Sequence, residues 1–163
     1  MAPMKIARTA ILGLVLVCAA APPARADATL FIGANTSPAN RQVRGFSLGM
    51  SLIVVGFEFE YTRTTEDPAA AAPGLKTGSG NLLLQTPTAI FGVQPYWTTG
   101  GGLYSETLGT HSDTGFAFNT GAGVKISLVG PLRARIDYRV FRLGSGALTS
   151  PAHRIYAGLN LKF

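Results

Sequence analysis

The last ten residues of the chain, RIYAGLNLKF, alternate between two kinds of side chain. One parity is apolar throughout, from Ile155 to the terminal Phe163, and the other carries polar or small residues such as Arg154 and Gly158. A period of two places successive side chains on opposite faces of a β-strand. The same alternation recurs in segment after segment beyond residue 26, whereas the 3.6-residue period of a helix does not. The chain is therefore predicted to fold from strands alone.

Eight strands are expected, separated by connections of two alternating kinds. The stretches TSPANRQ, DPAAAAPGLKTGS, TLGTHSD and SGALTSP are polar or rich in Pro and Gly, and the three connections between them are short or apolar. Long and short connections then fall at opposite ends, as in an antiparallel up-and-down transmembrane barrel with long outer loops and tight periplasmic turns. The predicted strands are 28–35, 43–50, 53–65, 80–87, 95–106, 115–128, 132–143 and 152–163.

Residue size distinguishes a membrane barrel from a soluble one. A soluble β-sandwich or ligand-carrying barrel also has one apolar and one polar face, but its solvated face would carry Lys, Glu and Thr. Here Phe46, Leu48 and Met50 alternate with Gly45 and with other small residues, and the sixth predicted strand shows the same pattern. Small side chains suit the narrow interior of an eight-stranded barrel. The apolar face is therefore predicted to meet lipid.

The inward face carries charges that a closed barrel would bury. Buried charges are costly unless they are paired and hydrogen-bonded, so a salt-bridged polar interior is expected. A proton or ion path through the same charges is the alternative interpretation. The predicted interior network consists of Glu58, Glu60, Lys125, Arg133, Arg135, Asp137 and Arg139.

The first 26 residues have the pattern of a secretory signal peptide. Lys5 and Arg8 precede an apolar run that is too short for a transmembrane helix, and small residues follow up to Ala26. Cleavage after Ala26 would leave residues 27–163 as one barrel domain. Cys18 raises the alternative of a lipoprotein signal, but bulky Val17 precedes it.

Composition excludes several classes of function. Three of the 14 basic residues lie in the signal segment, so 11 basic residues face eight acidic ones in the remainder. This balance, without any Lys/Arg-rich block, argues against nucleic-acid binding. With two histidines and Cys18 as the single cysteine, the remainder offers no metal-ligand cluster and no disulfide. No cofactor is expected.

Two stretches give a family resemblance. VQPYWTTGGGLYSE and YAGLNLKF resemble the small eight-stranded outer-membrane barrels of the opacity-protein and OmpA-type group. The resemblance implies a bacterial outer-membrane location. It also implies a terminal signal, Gly158, Leu161 and Phe163, that the barrel-assembly machinery reads. Unlike larger OmpA-type proteins, this chain is expected to carry no peptidoglycan-binding domain.

Two further sets of outward residues are predicted to meet the membrane interfaces. Trp97 and Phe163 lie at periplasmic strand ends, where an aromatic girdle belongs. Arg44, Arg63 and Arg142 share the lipid-facing parity near the loop ends. Because guanidinium groups match phosphate geometry, our hypothesis is that these three bind lipopolysaccharide; snorkelling into water is the alternative.

An enzymatic alternative depends on THSDT, which offers His111, Ser112 and Asp113 in a predicted outer loop, with Ser150 and His153 in the adjoining one. Catalysis requires a nucleophile and a base within hydrogen-bond reach, and neighbours in a loop seldom meet that demand. The sequence therefore favours a monomeric, non-enzymatic outer-membrane barrel with a structural or surface-interaction role. The alternatives are a lipid A-modifying enzyme on the same barrel and a secreted soluble carrier.

Overall fold

A computed structural model describes residues 25–163 as eight antiparallel strands in sequence order. Each strand pairs with the next, and β1 pairs with β8, so the sheet closes into an up-and-down barrel. The predicted fold class is confirmed. The strands are β1 (Arg25–Asn35), β2 (Arg41–Leu52), β3 (Val55–Thr64), β4 (Gly74–Gln85), β5 (Val93–Leu108), β6 (His111–Ser127), β7 (Leu132–Leu143) and β8 (Ala152–Lys162).

The predicted bounds are wrong for β4. This strand begins at Gly74, six residues before the predicted start, and the stretch GLKTGSG pairs with β3 on one side and β5 on the other. Its glycines and polar residues are typical of a loop, but hydrogen bonds to two flanking strands override that local preference. Lys76 therefore lies in a strand.

Three of the four loops at one end are also shorter than predicted, and the fourth, residues 144–151, has the predicted bounds. Strands β5 and β6 continue to a two-residue turn at Gly109 and Thr110, where Gly109 adopts a positive φ of 58°. The longest connection at that end spans residues 65–73 and contains a 3-10 turn at Pro68–Ala70. The connection 86–92 at the opposite end has seven residues, so loop length separates the two ends less cleanly than predicted.

Small inward residues allow neighbouring strands and side chains to lie close together. A methyl group added at inward-facing Gly158 would lie 2.7 Å from Cβ of Phe31 and closer still to the carbonyl oxygen of Leu30. On the outward face the situation differs, because a methyl group at Gly78 or Gly80 would meet nothing within 4 Å. Inward glycines are thus needed by the packing, whereas these two outward ones are not.

The barrel interior has two layers. A polar, charged layer fills its middle, and an apolar cap lies beneath the loop end. Only the polar layer was predicted from the sequence. The cap follows from the inward parity of β7, which passes from charged Arg139 to apolar Phe141 and Leu143. Its members are Leu75, Tyr104, Ala117, Phe141, Leu143 and Ala152.

Most of the predicted signal segment, residues 1–26, lies outside the described residues, and so does Cys18. Its last two residues, Arg25 and Ala26, open β1. The backbone of Ala26 exchanges two 2.9 Å hydrogen bonds with that of Phe163, which brings the beginning of β1 and the end of the chain together at the turn end of the barrel.

Candidate functional site

The outer face of the barrel is a continuous apolar surface. Leu30 is 72% exposed, Phe116 73% and Phe118 69%, and large apolar residues of the same parity are exposed on every strand. Monomeric soluble proteins rarely expose contiguous apolar patches larger than a few hundred Å². An all-round apolar exterior around a charged interior is the arrangement of a transmembrane barrel.

The centre of the lumen is a cluster of carboxylates and guanidinium groups. Glu58 is 4% exposed and accepts hydrogen bonds from Arg135, from Nη2 of Arg139 at 2.8 Å and from Oγ of Ser47 at 3.0 Å. Asp137 lies 2.6 Å from Nε of Arg135. Glu58 lies on β3, and Arg135 and Asp137 lie on β7, the facing wall of the barrel. Their contacts therefore connect the two strands through the barrel interior.

A second carboxylate extends the cluster toward the loops. Nη1 of Arg139 lies 3.0 Å from Oε2 of Glu60, and the hydroxyl of Tyr156 donates to the same oxygen at 2.8 Å. Tyr156 also stacks on Phe31, with ring centroids 4.4 Å apart. Above this layer, Arg154 donates to the hydroxyls of Thr62 and Thr77 and lies 4.1 Å from the ring centroid of Phe141. Arg154 thus joins the charged layer to the apolar cap.

At the turn end a separate ion pair occupies the lumen. Nζ of Lys125 lies 2.8 Å from Oδ2 of Asp27, and Arg133 lies 3.9 Å from the same oxygen while donating to Gln94 at 3.0 Å. Sequence reasoning missed Asp27, because it directly follows the predicted cleavage point. It also missed Tyr96, whose hydroxyl lies 2.7 Å from Nε of Arg135. Both residues occupy inward-facing positions of their strands, and this was the sequence signal that could have placed them in the lumen.

The strands carry four charged side chains on the outward parity, and all four are basic and lie near the loop end. Arg44 is the direct cross-strand partner of Arg63, and Arg63 is the partner of Lys76. These three residues on β2, β3 and β4 form what we call the basic row. The fourth, Arg142, lies on β7 opposite Phe118. The structure therefore brings Arg44 and Arg63 together, leaves Arg142 apart, and adds Lys76, which the predicted loop had hidden.

The basic row marks one edge of the apolar surface. Below it, β2 carries outward Phe46, Leu48, Met50 and Leu52, which are all exposed. The strand advances eight residues from Arg44 to Leu52. At about 3.3 Å per residue and a tilt of about 40°, they span about 20 Å, close to the apolar band of about 25 Å in such barrels. The remaining height falls on the turn tips, where Ile53 and Val54 are also exposed.

The predicted interfacial and terminal residues lie at the turn end. Trp97 pairs with Leu84 near the end of β4 and is 45% exposed on the outer face, and Phe163 is 70% exposed. Leu161 is also exposed on the outer face, whereas Gly158 faces inward against Phe31. A packing requirement at Gly158 exists independently of any assembly signal.

The residues of the enzymatic alternative do not assemble. His111, Ser112 and Asp113 open β6 instead of forming a loop, so Ser112 points to the opposite face from its two neighbours. Asp113 accepts a hydrogen bond from the hydroxyl of Tyr104. Strand pairing of THSDT with β5 overrides its loop-like composition.

The second pair of that alternative makes other contacts. Oγ of Ser150 accepts a hydrogen bond from the backbone N–H of Leu143 at 3.0 Å. His153 contacts the Tyr138 hydroxyl, 2.7 Å from its Nδ1. Among residues 25–163, no group of three or more His, Cys, Asp or Glu side chains is arranged to hold a metal ion. Over the same residues, no helix has the length and apolar character to cross a membrane.

The fold and its inside-out polarity define a class: the small eight-stranded barrels of the outer membrane. Two solved structures of that class are similar to this chain. Neisserial surface protein A (NspA) has a TM-score of 0.64 and 19% identity, over 86% of this chain and 96% of its own. The N-terminal β-barrel domain of Pseudomonas aeruginosa OprF has a TM-score of 0.61 and 16% identity, over 85% of this chain and 97% of its own.

The attachment invasion locus protein Ail of Yersinia pestis is also similar, with a TM-score of 0.50 and 12% identity over 86% of this chain and 98% of its own. At these identities the likeness concerns the fold. A scan against protein-family models and a search of curated proteins find no match. The resemblance read from the sequence is confirmed at the level of the eight-stranded barrel fold.

Proposed function

We propose that this protein is an integral, non-enzymatic barrel of the bacterial outer membrane, exported by a cleaved signal peptide, with a structural or surface-interaction role. The observation that carries the proposal is the polarity of the barrel: exposed Phe57 and Phe59 alternate along β3 with buried Glu58 and Glu60. Such a surface is stable in lipid and unstable in water.

The non-enzymatic part of the proposal is supported by the separation of the candidate groups. Ser112 and His111 face opposite sides of β6, and Ser150 is held by the backbone of Leu143. Lipopolysaccharide as the lipid partner is supported by the exclusively basic outward charges at the loop end. The protein is expected to act as a monomer that is inserted by the barrel-assembly machinery.

Membrane fractionation combined with heat-modifiable gel mobility tests the location. The protein is expected in the outer-membrane fraction and to migrate differently before and after boiling. Recovery in the soluble fraction would support the secreted-carrier alternative instead. Incubation of the purified protein with lipid A tests the non-enzymatic role: no acyl release is expected, and release abolished by Ser112→Ala or His111→Ala would establish the enzyme.

A further inference from the structure

The basic row places like charges directly opposite one another. Arg44 faces Arg63, and Arg63 faces Lys76, across two consecutive strand pairs. Directly opposed residues have Cβ atoms about 4.5–5.5 Å apart, and like charges at that spacing are destabilising. Among residues 25–163, none of the three lies within 4.0 Å of a carboxylate. An anion bound from outside the chain would remove the repulsion.

We propose that Arg44, Arg63 and Lys76 form a binding site for the phosphate groups of a lipid A-type glycolipid in the outer leaflet. The proposal rests on the outer-membrane location proposed above. A guanidinium group binds phosphate bidentately, and the lysine ammonium adds a third, flexible donor. Because Arg63 lies between the other two, it contributes to both halves of the site.

The depth of the row agrees with a lipid headgroup. Immediately below it, on the strands that carry Arg44 and Arg63, the ring centroids of Phe46 and Tyr61 lie 5.9 Å apart. Aromatic side chains are enriched where the apolar band meets the headgroups. The cations therefore lie at the outer interface, opposite the turn end where the first and last described residues meet.

Two apolar grooves lie on the outer face, on the turn side of the row. The first, of about 830 Å³, is lined in part by Ala28, Ala157 and Ile32, and Ile32 is the cross-strand partner of Arg44. The second, of about 680 Å³, includes Phe59 and Gly80 on the strands that carry Arg63 and Lys76. A phosphorylated lipid with several acyl chains fills both grooves while its phosphates meet the cations. A small phosphate compound would use the cations alone.

Arg142 provides a matched control for this assignment. It has the same charge, the same outward parity and a similar distance from the loop end of its strand, but its partner across β6 is Phe118. If isolated outward arginines were enough, Arg142 would bind as well as the row. The site therefore depends on the adjacency of its three cations, not on basic charge in general.

The test uses the purified mature protein, refolded in neutral detergent and titrated with bis-phosphorylated lipid A, while native mass spectrometry counts bound lipid. The R44Q/R63Q/K76Q variant is expected to bind at least about tenfold more weakly, because several charge-assisted contacts are lost. Arg142→Gln is expected to bind like the unaltered protein. Lipid A without phosphates and phosphatidylglycerol serve as comparison lipids and are both expected to bind weakly. If the triple variant fails to fold, Arg63→Gln gives the same comparison at the centre of the row.

Unchanged affinity in the triple variant would overturn the inference. An equal loss in Arg142→Gln would overturn the assignment to the row, and equal binding of phosphatidylglycerol would overturn the choice of lipid A. Failure of the proposed location is distinguishable, because it appears before any lipid is added, as a freely soluble protein whose mobility does not change on heating.

Discussion

Replacing Glu58 with glutamine tests whether the luminal ion pairs hold the barrel together. Glu58 is a carboxylate that Arg135 and Arg139 share, with Nη2 of Arg135 at 3.1 Å and Nη2 of Arg139 at 2.8 Å. Glutamine keeps the size and one acceptor oxygen but removes the charge, so two guanidinium groups are left facing Asp137 and Glu60 alone. Breaking a buried ion pair on one side costs about 3–5 kcal/mol.

The loss is measurable by urea titration of the refolded protein, followed by the fluorescence of Trp97, the single tryptophan of the chain. With an m value of about 2 kcal/mol/M, the midpoint is expected to fall by about 1.5–2.5 M. Glu66→Gln is the matched control. Glu66 is exposed and accepts a hydrogen bond from the backbone N–H of Gly109, which the amide oxygen of glutamine can also accept. The urea midpoint of Glu66→Gln is therefore expected to stay within about 0.5 M of that of the unaltered protein, because surface substitutions have small effects. Equal midpoints for the two variants would refute the reasoning.

Two further predictions concern packing inside the lumen. Tyr156→Phe keeps the stack on Phe31 but removes the hydroxyl that donates to Glu60. The free energy of unfolding is expected to fall by about 1–3 kcal/mol. An unchanged urea midpoint would show that this hydrogen bond does not stabilise the barrel. Gly158→Ala places a methyl group against Phe31, whereas Gly80→Ala adds one where nothing lies within 4 Å. The folded band in heat-modifiable electrophoresis is expected to decrease for Gly158→Ala only. Equal yields of folded protein for the two variants would contradict the inward packing of Gly158.

The two faces of the barrel were predictable because they depend only on alternation. Phe57 and Glu58 lie on opposite faces of any strand that contains both, and the narrow lumen requires the smaller and polar side chains inside. The charged residues proposed for the interior all face inward: Lys125 and Arg139 are buried, and Arg133 is nearly so. These placements follow from parity and need no knowledge of register.

Which residues contact one another was less predictable, because contacts depend on register and on strand length. Lys76 belongs to a Gly-rich stretch whose composition indicates a loop, so only its pairing with β3 and β5 reveals the third member of the basic row. Asp27 pairs with Lys125 across the lumen at a separation of 98 residues. Such a contact exists only once the barrel is closed, and no local pattern encodes it.

The orientation of the apolar face is tested most directly by site-directed spin labelling in lipid vesicles. The mature chain proposed above lacks Cys18, the single cysteine of the sequence, so single cysteines can replace Leu48, Phe59, Phe118 and Leu159, with Thr110 in the β5–β6 turn as the aqueous reference. Labels at the four strand positions are expected to be relaxed strongly by oxygen, which concentrates in the bilayer, and weakly by a water-soluble nickel complex, with the reverse at Thr110. Strong relaxation by the nickel complex at the four strand positions would contradict a lipid-facing exterior.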